Sequence, residues 1–163
     1  MTAMRNKCFL AVIALVPLLA SCASQRAAVA PVGPAPESDG VSSGSSGYLE
    51  VYSAQEPVIA GDDPIYYQHT DYRIYDERGK RIKHVGNADG HFETKPTVVA
   101  LPPGRYTVKA RAEDYASVVV RVVIERGRTT VVHLDDQWRL PANISRNEFV
   151  FEPTGSPVGW RAR

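Results

Sequence analysis

The chain has 163 residues and carries 19 Lys and Arg against 18 Asp and Glu. That length suits one domain with short additions, and the near-neutral charge excludes the strong basic field with which a domain binds nucleic acid. Two cysteines, Cys8 and Cys22, both lie in or beside the N-terminal apolar run, so no pair is left downstream for a disulfide framework or a thiolate zinc centre.

Met1 to Lys7 contains Arg5 and Lys7 and no acid, and FLAVIALVPLLA follows from Phe9 to Ala20. A basic start and a short apolar run form a signal peptide, residues 1–21, because the run is shorter than the roughly 20 residues of a spanning helix and holds Pro17. Its end, Leu19-Ala20-Ser21-Cys22, resembles the bacterial lipobox. The resemblance implies cleavage before Cys22 and acylation of its sulfur and new amino group, a membrane anchor without a transmembrane helix. In two-membraned bacteria, Ala23 and Ser24 in place of Asp imply sorting to the outer membrane. Processing removes Arg5 and Lys7 and leaves 17 basic against 18 acidic residues.

Residues 22–47 are almost entirely Ala, Pro, Gly and Ser and contain no aromatic residue. Such a composition buries little apolar surface, which predicts a flexible linker holding the folded domain off the bilayer.

Residues 48–135 read as an all-β domain. Tyr48 to Ser53 alternates with Leu49 and Val51 on one face, and Ile65 to Tyr75 is rich in strand-favouring Tyr and Ile. Asp76 to Lys80 predicts a tight turn, Arg81 to Val85 its return strand, and Thr97 to Leu101 a further strand. From Arg105 to Leu134 the even positions Tyr106, Val108, Ala110, Ala112, Val118, Val120, Val122 and Ile124 are apolar, while Arg105, Lys109, Arg111, Arg121 and Glu125 alternate with them. Period two predicts three consecutive antiparallel strands, half-buried. In the last, a two-residue turn would bury Val131 and His133 and a three-residue turn Val132 and Leu134. The second is preferred, because it buries leucine and exposes imidazole. About seven short strands predict an antiparallel β-sandwich of Ig-like character.

YDERGKRI (Tyr75 to Ile82), ADGHF (Ala88 to Phe92), LPPGRYTV (Leu101 to Val108) and Asp114-Tyr115 resemble, in this order, the elements of the carboxypeptidase regulatory-like domain, a transthyretin-like sandwich, and of the related PEGA-type surface domains. Asp114 stands where that family has Gly. The resemblance implies a non-catalytic accessory domain.

No Ser-His-Asp set, paired carboxylates or phosphate loop is visible, so no catalytic residue, cofactor or metal is assigned. Asn87 to Gly90 with Glu93 has too few oxygen ligands for a calcium loop, and His69, His84, His91 and His133 lack ligand spacing. The candidate binding surface consists of Tyr66, Tyr67, Tyr72 and Tyr75 with Trp138 and Trp160, and a second candidate is the basic face of Arg105, Lys109, Arg111 and Arg121. Residues 136–163 hold both tryptophans and a candidate strand at Asn147 to Phe151, which predicts a tail lying on the domain or, alternatively, an arm added to a partner's sheet. The expected function is that of a non-catalytic, lipid-anchored envelope protein whose sandwich binds another envelope protein or glycan, or else of an accessory subunit of an envelope enzyme or transport system.

Overall fold

The computed structural model describes residues 27–36, 44–59, 66–87, 95–113 and 115–163. Among them the fold is all-β, with twelve strands: β1 (Ala27–Gly33), β2 (Gly47–Tyr52), β3 (Gln55–Val58), β4 (Tyr66–His69), β5 (Tyr72–Tyr75), β6 (Arg81–Val85), β7 (Val99–Leu101), β8 (Gly104–Ala112), β9 (Tyr115–Ile124), β10 (Thr129–His133), β11 (Phe149–Phe151) and β12 (Pro157–Arg161). Seven make one sheet in the order β11-β12-β1-β9-β8-β5-β6, three make a second in the order β10-β2-β7, and β3 pairs only with β4.

The two larger sheets close on each other as a sandwich. Val108, Ala110, Val118, Val120, Val122 and Ile124 from the large sheet meet Leu49, Val51, Val99, Leu101 and Val132 from the small one in a single apolar cluster. Each fully buried aliphatic side chain contributes about 1.5–3 kcal/mol, so the even-numbered positions of β8 and β9 alone are a main source of stability. In the long hairpin Val108 lies opposite Val120 and Ala110 opposite Val118, which fixes the register through the buried face.

Four expectations change. The third strand of the Arg105 to Leu134 stretch does not extend the hairpin: after Ile124 the chain crosses to the small sheet, where β10 runs parallel to β2. Gly127 N–H donates to the Ser46 carbonyl and Tyr48 N–H to the Arg128 carbonyl, which holds the crossing against the start of β2. Val132 and Leu134 do point inward. The expected all-β sandwich of antiparallel pairings stands, with β10 on β2 and β1 on β9 as its parallel pairs.

Residues 22–47 are not a continuous linker. Ala27–Gly33 is a strand between β9 and β12, and Val32 is fully buried in the core. Small residues are what this strand needs: a Cβ on Gly33 would come within 2.9 Å of the Ala162 Cα. Gly47, placed by composition in the linker, opens β2 at a site where a Cβ would collide with the Glu125 carbonyl oxygen.

The Ile65 to Tyr75 segment splits into β4 and β5. Thr70 between them donates its N–H to the Ala54 carbonyl and accepts from the Ser53 hydroxyl through its own carbonyl at 2.6 Å. Finally, the tail is part of the sheet. β12 pairs antiparallel with β1 and β11 with β12, and Val150 and Val158 enter the core cluster.

Local chemistry explains the turns. Asp76 Oδ1 accepts from the N–H groups of Arg78 and Lys80, and Gly79 takes φ 76°, a conformation that favours glycine. At the LPPGRY corner the Tyr106 hydroxyl donates to the Pro102 carbonyl at 2.9 Å. The sheet ends on β6, whose exposed Arg81, Lys83 and His84 protect the edge from further pairing.

Candidate functional site

Alternation in β8 and β9 sends one set of side chains into the core and the other onto the outer face of the large sheet. Thr107 lies opposite Arg121 and Arg105 opposite Val123, so Arg105 and Arg121 are diagonal neighbours on that face. They border a groove of about 570 Å³ that also takes in Thr107, Glu77 and, from the tail, Arg163.

Three other cations near this face are engaged. Arg111 pairs with Glu56, Arg163 lies 3.3 Å from Glu148, and the Lys109 ammonium sits 4.3 Å from the centre of the Tyr75 ring. Among the described residues, neither Arg105 nor Arg121 has a carboxylate within ion-pair distance. Two exposed guanidiniums at the rim of a concave surface, with a third nearby, provide the planar donor forks that suit carboxylate, phosphate or sulfate groups. Glu77 is the opposing charge within the groove.

On the outer side of the small sheet a second feature gathers residues far apart in the chain. Tyr52 and His133 are opposite each other on β2 and β10, with ring centroids 4.8 Å apart and nearly parallel. Trp138 stacks on the other face of His133 at 4.6 Å. Phe149 meets Trp138 edge-on at 5.6 Å, and Trp160 packs on Phe149 at 4.5 Å. At the opposite end His69 touches Tyr52 edge-on at 5.4 Å. Burial, with the charge of His69 second, pushes the His133 imidazole down to about 4. Burial, then the hydrogen bond to Glu50 and its charge, with Asp135 adding to these, pushes the Tyr52 phenol up to about 12. Burial also raises the Asp135 carboxyl. His133 is therefore a neutral stacking group near neutral pH, rather than an exposed imidazole.

The six aromatics of the candidate surface do not form one surface. Tyr72 is 1 % exposed and belongs to the core cluster. Its hydroxyl has no hydrogen-bond partner among the described residues, and burial followed by the charge of Glu50 raises its pKa. As an inward residue of β5, Tyr72 is removed from any binding surface. Tyr75 is half-buried beneath Lys109, and Trp138 and Trp160 are members of the stack. Tyr66 and Tyr67 lie on the separate β3/β4 hairpin, where Tyr67 is 54 % exposed. Leu19, Ala20, Ser21 and Cys22 lie outside the described residues.

Asn87, the first residue of the weak calcium pattern, is buried, and its side chain holds backbone. It donates to the Val51 carbonyl at 2.8 Å and the Ser53 hydroxyl at 3.0 Å, and its oxygen accepts from the Thr97 N–H. Residues 88–94 lie outside the described residues. His69 Nδ1 is 2.7 Å from the Ser53 carbonyl, and His84 Nε2 is 3.0 Å from Asp71 Oδ2. Among the described residues no three His, Cys, Asp or Glu side chains gather as metal ligands, and no helix is long and apolar enough to cross a membrane. The Ser53–Asn87 knot and the aromatic ladder carried no signal in sequence, because their members are spread over residues 51–97 and 52–160 without periodicity.

Comparison of the chain with protein-family models, with curated proteins and with solved structures finds no match.

Proposed function

We propose that the protein is a non-catalytic, lipid-anchored component of the cell envelope whose sandwich binds an anionic envelope glycan or protein through the arginine groove. The observation that carries the reading is the groove itself, where Arg105 and Arg121 are exposed and free of carboxylate partners among the described residues. The mature chain is near neutral, so net charge does not account for this concentration of cations on one sheet face. The lipobox at Leu19 to Cys22 supports the anchor and, with Ala23 and Ser24, an outer-membrane address. The all-β sandwich and the Pro102 to Tyr106 corner support the resemblance to the carboxypeptidase regulatory-like domain, a fold that hosts accessory binding roles.

Two experiments test the two halves. Metabolic labelling with a fatty acid is expected to mark the wild-type chain and not Cys22→Ser; label on the variant would overturn the anchor. Titration of the detergent-solubilised full chain with a carboxylated or sulfated polysaccharide is expected to show binding that weakens with salt and is lost in Arg105→Glu/Arg121→Glu. Equal binding by that folded variant would overturn the groove.

A further inference from the structure

The position of β1 changes what a lipid on Cys22 would do to the domain. Ala27 follows Cys22 by five positions, a span of at most about 18 Å even fully extended. Ala27 is in register with Val118, which lies opposite Ala110 near the end of β8. Because β1 is parallel to β9, the chain enters the sheet from the end where β8 turns into β9.

The β3/β4 hairpin leaves the sandwich at this same end. Ala54 N–H donates to the Arg111 carbonyl, Gln55 N–H to Glu113 Oε2 at 3.2 Å, and Arg111 pairs with Glu56. The returning leg feeds β5, whose first residue, Tyr72, lies opposite Val85. The hairpin and its flank carry two of the large exposed apolar side chains of the described residues, Ile59 at 70 % and Tyr67 at 54 %. The opposite end of the sandwich is formed by the Asp76 to Lys80 turn and the Pro102 to Gly104 corner, a β8 length of nine residues away, or about 27 Å.

We infer that the sandwich stands on the bilayer by its hairpin end, with Ile59 and Tyr67 at the lipid interface and the arginine groove directed away from the membrane. The inference rests on the proposed lipidation of Cys22. An aliphatic side chain beside a tyrosine suits the boundary between headgroups and acyl chains. Charge is not the cause: Glu113, Asp135 and Asp136 lie beside Tyr67 at this end and would be repelled by anionic lipids. Covalent reach and apolar contact set the orientation, which distinguishes it from a domain lying on its basic face. The groove at Arg105 and Arg121 is then open to a partner beyond the membrane surface.

The test uses the full-length lipidated protein in vesicles of phosphatidylethanolamine and phosphatidylglycerol that carry a quencher at headgroup depth. A fluorophore is placed on Tyr67→Cys or on Arg78→Cys; with Cys22 acylated, the mature chain has no other thiol. Quenching several-fold stronger at position 67 than at 78, and unchanged when salt is raised, is expected. Equal quenching, stronger quenching at 78, or loss of the difference in salt would overturn the orientation. Mass spectrometry of the same samples separates the two ideas: a chain without acyl groups overturns the anchor and the inference together, whereas an acylated chain with equal quenching overturns the orientation alone.

Discussion

The core between the sheets and the aromatic ladder outside the small sheet are both well packed, yet the chain builds them by opposite rules. The core draws on runs of alternating residues: β8 and β9 supply Val108, Ala110, Val118, Val120, Val122 and Ile124 from one continuous hairpin. The ladder takes Tyr52, His69, His133, Trp138, Phe149 and Trp160, one or two from each of several distant segments. A strand can therefore bury its even face without specifying what covers its odd face. The tail performs that second task, by adding β11 and β12 beyond β1 and bringing Trp138 onto His133.

The two regions therefore fail differently. A charge in the core is the largest perturbation: Val120→Asp places a carboxylate at a fully buried site on the central hairpin, and loss of the folded state is expected in circular dichroism and thermal melts. Phe149→Ala removes the one fully buried ring of the ladder, and a loss of about 3–5 kcal/mol is expected in denaturant titrations.

The ladder also carries a pH signature in the acid range. The folded-state imidazole of His133 is pushed down to about 4 from an ordinary 6.5, so the unfolded chain takes up this proton at higher pH than the folded one. The contribution to stability is full above about pH 6.5 and is lost as pH falls from there towards 4, on the order of 3 kcal/mol in all. Asp135, whose carboxyl is raised, acts in the opposite sense, because the folded state binds its proton first. Urea midpoints between pH 7 and 4 measure the net slope, and His133→Phe should flatten it. The smallest effect belongs to neither region: Ile59→Ser, at a highly exposed site, should change stability by less than about 0.5 kcal/mol.

Legibility in the sequence follows the same line. Period two identified β8 and β9, since alternation is a local consequence of the pleat, and the preference for burying leucine over imidazole turned Val132 and Leu134 inward. It could not say that β10 belongs to the other sheet, because that depends on the crossing at Glu125 to Arg128 and on β2. Ala27 to Gly33 looked like linker because small residues and prolines have little strand preference. They serve close approach instead: Gly33 lies against Ala162, and Gly159 of β12 leaves only 2.6 Å between a would-be Cβ and Val32. Tyr72 looked like its neighbours Tyr66, Tyr67 and Tyr75, and only the register of β5 on β8 separates the core ring from the others. Of the candidate site, Arg105 and Arg121 were legible as the odd face of a strand pair. Their groove was not, because Arg163 and Pro31 reach it from the two ends of the chain.

The central claim is that this groove is where a partner binds. A photo-crosslinking amino acid at Thr107, inside the groove, tests it in intact cells. The expected result is an adduct with a species bearing anionic groups, absent when Arg105→Glu and Arg121→Glu are combined with the probe in a chain that still folds. No adduct from Thr107, or an adduct indifferent to both substitutions, would contradict it.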